Sequence, residues 1–512
     1  MALSGVAGTD ESVPWPQQGR ASDTQASYLL ATVAVVAGLT LLRLVALRFS
    51  TVELYADEAQ YWAWSQDLAL GYYTKPPLLA WIIAAAGHVC GSDEWCVRAP
   101  APLFHAGTSL IAYAIGRRLY DERTGFWAAL LTALGTGIVF SARIISTDVP
   151  LLFFWALALW AYVNLLAAPS RRWAVVLGVA IGLGLLAKYA MIYFLPGIAL
   201  AALFSKRARL LAARSDFWLA LAIAALVVAP NIAWNASNSF ATLHHTGGLV
   251  AGEPLQFNVR QGLEFLAAQF GVFGPVVFAV MLVEPLRLGA RDQREQDRIL
   301  IAFLIPALVI VTGFAIAVKA YDNWAAVSFV SGVVLAAAIL SRRDAKGWMR
   351  ASVAIGIVAQ VVLIAGDTFA DRLWLPNVGN PYHRTIGWRG VAEGAGRMAQ
   401  DAGAKAIVSP SRSEFAVLRY YWRDRPQPVL WWHSAELPDF ESKQALTGSS
   451  PEPVLFVTGC PALDWVRRVY TDVEPLGPFA TPIGKLPRGE ERVFYGYRLS
   501  GARGPVPPLE GC

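Results

Sequence analysis

The chain has 512 residues, of which 55% are hydrophobic and only 16% are charged, whereas soluble domains carry about 25% charged residues. Its formal net charge is +6, but the basic residues cluster between apolar blocks, as topology signals do, and do not indicate a nucleic-acid partner. This composition excludes an ordinary soluble globular protein and predicts a polytopic α-helical membrane protein.

Residues 1–27 form a polar N-terminal segment that includes Asp10 and Glu11 and lacks the basic start and the cleavage site of a signal peptide. We expect a disordered cytoplasmic tail here. The first apolar block then acts as an uncleaved signal anchor.

About eleven apolar blocks approach the roughly 17–25 residues that cross a bilayer. They cover 28–48, 99–118, 124–142, 149–168, 173–188, 189–204, 216–234, 262–285, 298–318, 324–341 and 349–366. The sequence does not define the boundary between the two blocks in 173–204. The shorter segment 76–90 opens with Pro76 and Pro77, and we expect it to be an interfacial helix within the first outer loop, 49–98.

The basic clusters test this count of spans. With a cytoplasmic N-terminus, the even-numbered spans end at clusters that all lie on one side of the membrane, as cytoplasmic loops require. These clusters are Arg117/Arg118/Arg123, Arg171/Arg172, Lys206/Arg207/Arg209/Arg214, Arg287/Arg291/Arg294/Arg298 and Arg342/Arg343/Lys346/Arg350. The pattern predicts an inner-membrane protein with its N-terminus inside and its C-terminus outside.

The segment 370–512 is polar, with Pro and Gly throughout. It contains short β-type runs at 406–408 and 454–457, and 389–403 and 413–422 are candidate helices. We therefore expect a C-terminal periplasmic α/β domain, beside a transmembrane catalytic domain at 28–369.

All four cysteines fall on the outer side of this topology, where an oxidising compartment favours disulfides. We predict a disulfide between Cys90 and Cys96, and a second one between Cys460 and Cys512. The alternative is four thiols that share one side by chance.

Carboxylates packed among aromatic residues follow the first span in YADEAQYWAW, residues 55–64, which contains Asp57 and Glu58. The same loop continues with GYYTKPP, residues 71–77, in which Lys75 precedes a stiff Pro-Pro pair. A carboxylate can accept the proton of an attacking hydroxyl, and a fixed cation can stabilise a leaving phosphate. An equally weighted alternative is a helix cap at Asp57 and Glu58, with Lys75 as an interfacial anchor.

The second outer loop, SARIISTDVP at 141–150, places Asp148 where the fourth span begins. An N-terminal helix cap with Pro150 two residues on is the ordinary use of such an aspartate. We therefore keep both roles open for Asp148, the structural and the catalytic.

The strings ADEAQYWAWSQDLALGYYTKPPLLAW and RIISTDVPL resemble the polyprenyl-phosphate-dependent glycosyltransferases of the GT-C class. Within that class, they resemble the bacterial protein-mannosyltransferase-like enzymes, which include the aminoarabinose transferase of lipid A. The similarity covers roughly 28–366 and is strongest over 53–150. It implies a many-helix membrane fold and an inverting transfer of a sugar from a polyprenyl phosphate.

The resemblance also implies roles for individual residues. Asp57 matches the catalytic aspartate, with Glu58 as its companion, and Asp148 matches the acidic residue of the second outer loop. Lys75 matches the lysine that contacts the donor phosphate, and Tyr72 the aromatic residue three positions before it. The aminoarabinose transferases have an arginine where this chain has Gln60, and we expect Arg143 to supply the missing cation.

Further polar and aromatic residues of the outer loops are candidates for the substrate cleft. They are Tyr61, Lys188, Tyr189, His244, His245, Asn323 and Trp324. For Lys188 and Tyr189, a plain membrane anchor is the stronger interpretation. A divalent cation is left open as a cofactor, with Asp57 and Asp148 as its ligands, and there is no P-loop or zinc-type spacing.

The resemblance implies a glycosyltransferase whose partners are a polyprenyl-phosphate sugar, a glycolipid or protein acceptor and the surrounding membrane lipids. The acceptor that the resemblance implies is lipid A or its core, with a protein acceptor as the alternative. A lipid-linked glycan transporter or flippase is a third interpretation. Transporters usually place ionisable residues near the membrane midplane, whereas the acidic residues here fall at the outer boundary, so the enzyme is favoured.

Overall fold

The computed structural model describes residues 23–251, 257–288, 293–432, 442–459, 465–485, 490–504 and 506–507. The helices of the first half are α1 (Asp23–Phe49), α2 (Ala56–Ser65), α3 (Leu78–Cys90), α4 (Glu94–Arg98), α5 (Pro100–Leu119), α6 (Glu122–Ala133), α7 (Thr136–Ser141), α8 (Asp148–Ala167), α9 (Arg171–Ala187), α10 (Phe194–Phe204), α11 (Lys206–Ala212), α12 (Ser215–Ser237) and α13 (Ala241–Ala251). The later helices are α14 (Val259–Phe273), α15 (Pro275–Val283), α16 (Glu295–Ala317), α17 (Ser328–Arg342), α18 (Lys346–Thr368), α19 (Trp388–Asp401), α20 (Arg412–Tyr421) and α21 (Val466–Val469). Short 3₁₀ turns occupy Tyr189–Tyr193, Glu284–Arg287, Asp322–Ala325, Ala370–Arg372 and Ser442–Gln444.

Five of the described helices are long and apolar enough to cross a membrane. They are α1, α8, α12, α16 and α18. The apolar stretches of α8 and α16 are 78% and 61% buried within the protein, whereas those of α1 and α18 are each only 17% buried. Helices α8 and α16 therefore form the centre of the helical bundle, and α1 and α18 lie at its margin. The predicted count of eleven spans stays a prediction.

Two expected spans are interrupted in the structure. The segment 124–142 divides into α6 and α7, which are separated by Leu134 and Gly135. The segment 262–285 divides into α14 and α15 at Gly274, which has a φ of 83°, and the next residue is Pro275, which disfavours a helical conformation before it. The continuous apolar composition of both segments concealed these breaks. The first helix also begins at Asp23, five residues before the expected start of the span.

The C-terminal region contains a five-stranded sheet, which confirms the predicted mixture of helices and strands. Its strands are β1 (Ala406–Ser409), β2 (Val429–Trp431), β3 (Val454–Thr458), β4 (Tyr470–Pro482) and β5 (Glu491–Ala502), in the order β2-β1-β3-β5-β4. Strands β2, β1 and β3 are parallel, while β5 pairs antiparallel with both β3 and β4. The β4–β5 hairpin was not expected, because its alternating, half-exposed residues lack the apolar runs of β1 and β3.

Helices α19 and α20 of the C-terminal region pack against the loop between α1 and α5, residues 50–99, which we call the first loop. Trp62 of α2 and Tyr420 of α20 make an edge-to-face ring contact with 5.0 Å between centroids. The backbone N–H groups of Trp388 and Arg389, at the start of α19, donate to the carboxylate of Glu53 at 2.6 and 3.1 Å. Buried residues of both regions belong to one hydrophobic cluster. The C-terminal sheet is thereby held against the segment that carries Asp57.

The first loop contains the predicted disulfide between Cys90 and Cys96. It joins the end of α3 to α4, and α4 carries Arg98. The second predicted pair, Cys460 and Cys512, lies outside the described residues.

Candidate active site

Asp57 and Glu58 lie in the first turn of α2, where carboxylates interact favourably with the partial positive charge of a helix N-terminus. The backbone N–H of Tyr55, the N-cap residue, donates to Oε2 of Glu58 at 3.0 Å. This capping interaction fixes the start of the helix. The side chain of Asp57 points away from the cap and is 39% exposed, so it is accessible to a substrate.

Glu58 is a buried structural partner of Arg98. Their side chains are only 3% and 2% exposed, and two hydrogen bonds of 2.6 and 2.9 Å join them. Oε1 of Glu58 also accepts from the backbone N–H of Ile145 at 3.0 Å, while Arg98 donates to the carbonyl oxygens of Val52 and Glu53. The pair thus fixes α2 relative to α4 and to the connection between α7 and α8, residues 142–147, which we call the second loop.

Asp57 is paired with Arg412, the first residue of α20. Nη2 of Arg412 lies 2.7 Å from Oδ1 of Asp57, and Nη1 of the same guanidinium donates to Oε1 of Gln60 at 2.7 Å. In the part of the chain that the structure describes, Oδ2 of Asp57 has no hydrogen-bond partner. One oxygen of the carboxylate is therefore held in place while the other is available.

Lys75 follows a tight turn in which the backbone N–H of Tyr72 donates to the carbonyl oxygen of Lys75 at 3.1 Å. Burial is the main cause of a lowered pKa for its ammonium group, and the charge of Lys188 lowers this pKa further. The negative charges of Asp57 and Asp148 oppose the shift, so these groups lie within electrostatic reach of one another. Among the described residues, the ammonium group has no hydrogen-bonded or ion-paired partner.

Asp148 is the first residue of α8 and completes the acidic part of the site. Its Oδ1 pairs with Nζ of Lys188 at 2.7 Å, and its Oδ2 accepts from Nδ2 of Asn323 at 2.6 Å. These contacts join α8 to the end of α9 and to the 3₁₀ turn before α17. The structure thus brings the predicted residues Asp148, Lys188 and Asn323 together.

Two predicted aromatic residues have their positions fixed by the first loop itself. The hydroxyl of Tyr72 lies 3.0 and 3.1 Å from the carbonyl oxygens of Trp64 and Asp67, and its ring stacks on that of Trp64. Tyr72 therefore stabilises the first loop. Tyr61 is buried, and burial raises the pKa of its phenol, with a further contribution from the charge of Asp57.

Four further residues were predicted to line the cleft. The hydroxyl of Tyr189 donates to Asn231 at 2.8 Å. The ring of His245 lies 5.3 Å from that of Tyr73, and burial, followed by the charge of Lys75, lowers the pKa of this imidazole. His244 is exposed on α13, and Trp324 is half-buried in the turn before α17. His244 and His245 are adjacent on a helix, where side chains one residue apart do not face one another.

Arg143, which was expected to supply the missing cation, lies beside an acidic residue of α18. Its Nη2 lies 2.7 Å from Oδ1 of Asp367, near the end of α18. Arg143 lies in the second loop and Asp148 begins α8, and the two side chains pair with different residues, Asp367 and Lys188. Arg412 is the cation that contacts Gln60.

The described residues contain no group of three or more His, Cys, Asp or Glu side chains that could hold a metal ion. Asp57 and Asp148 each have a basic partner at 2.7 Å, so the charge of both carboxylates is already compensated. This donor set does not fit the divalent cation that the sequence left open.

The chain is similar to a known protein along most of its length. Lipid A galacturonosyltransferase RgtD of Rhizobium johnstonii is 37% identical over 427 residues, which are 83% of this chain and 90% of the relative. The chain belongs to the polyprenyl-phosphate-dependent glycosyltransferases of the GT-C class. It is a multi-pass membrane enzyme that transfers a sugar.

Other members of this class match parts of the chain or its fold. The family model described as dolichyl-phosphate-mannose-protein mannosyltransferase matches residues 74–234. An undecaprenyl phosphate-alpha-4-amino-4-deoxy-L-arabinose arabinosyl transferase of Pseudomonas aeruginosa is 34% identical over 141 residues, 26% of each chain. The crystal structure of ArnT from Cupriavidus metallidurans bound to undecaprenyl phosphate has a TM-score of 0.60 over 93% of this chain and 98% of its own, at 16% identity. The GT-C fold is therefore shared.

Arg412 and Arg98, which contact Asp57 and Glu58 in the candidate site, were not predicted from the sequence. Arg412 lies 355 positions after Asp57, and no local pattern connects the two residues. The departure from the family at Gln60 was the available signal, since it indicated that a cation had to come from elsewhere.

Proposed function

We propose that this GT-C enzyme transfers a galacturonosyl residue from a polyprenyl phosphate to lipid A. The observation that carries the proposal is that two groups of opposite charge lie near each other. The ammonium of Lys75 has no anionic partner among the described residues, and it lies within electrostatic reach of Asp57, which has an available carboxylate oxygen. The choice of sugar and acceptor follows RgtD, the relative that is similar along most of both chains.

The reaction needs a base on the acceptor side and a cation on the donor side. Oδ2 of Asp57 accepts the proton of an acceptor hydroxyl, whose oxygen attacks the anomeric carbon of the donor. The bond between that carbon and the phosphate oxygen breaks, and the electron pair leaves with the phosphate. Lys75 stabilises the additional negative charge on this phosphate, an interaction that is strongest in the transition state. The products are an inverted glycoside and a polyprenyl phosphate.

The remaining charged residues position these two groups. Arg412 holds Oδ1 of Asp57, so that Oδ2 faces the acceptor. The Asp148–Lys188 pair is anchored to Asn323, and its lysine keeps a second positive charge near the donor phosphate. Glu58 acts through the placement of α2 and the second loop, because both of its oxygens are occupied by Arg98 and backbone N–H groups.

We also propose the orientation that the basic clusters predict, with the N-terminus in the cytoplasm of a bacterial inner membrane. The first loop and the region 370–512 then lie in the periplasm. The disulfide of the first loop supports this side, because disulfides persist in oxidising compartments. The division into a membrane domain at 28–369 and a periplasmic domain at 370–512 belongs to the same proposal.

Reconstitution tests the proposal directly. Purified protein in lipid nanodiscs is given polyprenyl-phosphate galacturonic acid and lipid A, and the lipids are analysed by mass spectrometry. We expect lipid A to gain one uronic acid residue. A wild-type protein that leaves lipid A unchanged but glycosylates a periplasmic protein would contradict the assigned acceptor. That outcome would favour the protein-transferase alternative, which the matched family model describes.

A further inference from the structure

A cleft outside the candidate active site lies between α1, α7 and α18. It is half-open, and its empty volume of about 300 Å³ includes the open solvent at its mouth. Its lining residues are Arg43, Ala46, Leu47, Val139, Ala142, Arg143, Gln360, Leu363, Ile364 and Asp367. The reaction proposed above uses none of them.

Arg43 lines this cleft and is an unusual residue within an apolar helix. It is 4% exposed. Its Nε donates to Oε1 of Gln360 at 2.7 Å, and its Nη2 donates to the carbonyl oxygen of Ala133, the last residue of α6, at 2.5 Å. Among the described residues, it has no carboxylate partner. Neutral dipoles alone compensate this buried charge, and buried charges in membrane helices usually mark binding or transport sites.

Arg143 and Asp367 form the rim of the cleft. Their ion pair of 2.7 Å is completed by the hydroxyl of Tyr382, which donates to the same oxygen of Asp367 at 2.9 Å. Nε of Arg143 is buried and has no hydrogen-bond partner in the described part of the chain. The lining thus contains two guanidinium groups and one carboxylate, an excess of one positive charge.

The mouth of the cleft is apolar, with half-buried Ala46, Leu363 and Ile364. Seven of its lining residues belong to α1 and α18, the two long helices whose apolar stretches are least buried within the protein. Arg43 lies six residues before the end of α1, about 9 Å along the helix axis. In the proposed orientation, Arg43 therefore lies closer to the outer end of this helix than to its cytoplasmic end.

We propose that the cleft binds the phosphate headgroup of a lipid from the outer leaflet, with Arg43 and Arg143 as its ligands. Guanidinium groups bind phosphate oxygens through paired, charge-assisted hydrogen bonds, and an apolar mouth accommodates the adjoining lipid chain. The phosphate of a polyprenyl phosphate and that of a glycerophospholipid share this chemistry. The site is separate from Lys75 and stands whether or not the transfer reaction proceeds as proposed.

Native mass spectrometry of the full chain in detergent tests the site. The Lys75→Gln background is used, so that the remaining binding reports the cleft. Undecaprenyl phosphate and phosphatidylglycerol are titrated in separate arms, and diacylglycerol serves as the probe without phosphate. We expect Arg43→Gln and Arg143→Gln each to weaken the binding of at least one phosphate lipid by tenfold or more, or about 1.4 kcal/mol. The arm that responds identifies the source of the phosphate.

Asp367→Asn separates binding from a purely structural role. It removes the negative charge of the rim, so we expect tighter phosphate binding, whereas a structural role predicts a loss like that of the arginine variants. Arg48→Gln is the matched control, because Arg48 is exposed in the last turn of the same helix. Melting temperatures identify variants that fail to fold. Unchanged binding in folded Arg43→Gln and Arg143→Gln, weaker binding in Asp367→Asn, or equal binding of diacylglycerol would overturn the proposal.

Discussion

The guanidinium of Arg412 contacts Asp57 across 355 positions of the sequence, with 2.7 Å between Nη2 and Oδ1. Arg412 directly follows the short connection from β1 to α20. The C-terminal sheet therefore contributes a side chain to the loop that carries the proposed base. The C-terminal region is therefore part of the candidate site.

Removing the Arg412 side chain tests this contribution. We expect Arg412→Gln to lower kcat by about 10²-fold, because small misplacements of a catalytic group have effects of this size. The KM for the donor should change little, since Lys75 is unaltered. Steady-state kinetics in nanodiscs measure both. Arg419→Gln is the matched control, because Arg419 lies on the same helix and contacts Gln444.

Relocating the charge gives a sharper form of this test. Gln60 already contacts the guanidinium, so an arginine at position 60 would place a cation beside Asp57. We expect Gln60→Arg to restore much of the activity that Arg412→Gln removes. A double variant no better than Arg412→Gln alone would mean that Arg412 matters for docking of the C-terminal sheet and not for Asp57.

The lowered pKa of Lys75 predicts a pH dependence. Phosphate stabilisation needs the charged ammonium, so activity should be present below the pKa and lost as the pH rises through it. Because the pKa is lowered by burial and by Lys188, this loss should begin at a lower pH than for an exposed lysine. Lys188→Met should move the alkaline limb of kcat/KM to higher pH. Lys75→Arg should move it further, since arginine stays protonated. An identical limb in all three proteins would refute the role of Lys75.

The Glu58–Arg98 pair should matter for stability. We expect Glu58→Gln to destabilise the protein by about 3–5 kcal/mol, the usual result of leaving one member of a buried ion pair alone. Glu94→Gln is the control, because Glu94 also pairs with an arginine, Arg389, but at a more exposed position, where such pairs contribute about 0–1 kcal/mol. Thermal melts compare the two. Equal melting temperatures would show that Glu58 is not a structural anchor.

Much of this arrangement could be predicted from the sequence, for identifiable physical reasons. Asp57, Lys75 and Asp148 stand at the ends of apolar blocks, where charged residues near a membrane boundary need a function or a partner. The runs of β1 and β3 were apparent because both strands are apolar and fully buried.

The rest depended on contacts that are distant in sequence. Arg143 is only five residues from Asp148, but it faces α18, and only the path of the second loop decides this. The partnership of Arg412 with Asp57 requires the docking of α20 on α2. The break between α6 and α7 was concealed by an apolar composition that continues through it.

The most direct test of the central claim compares sugar transfer and donor binding in the same Asp57→Asn sample. Asp67→Asn is the control, because Asp67 lies in the same loop and pairs with Lys443 of the C-terminal region. We expect Asp57→Asn to lose transfer by about 10²- to 10⁴-fold, the usual contribution of a general base, and to bind the lipid donor as the wild type does. Transfer by Asp57→Asn at the wild-type rate would contradict the account.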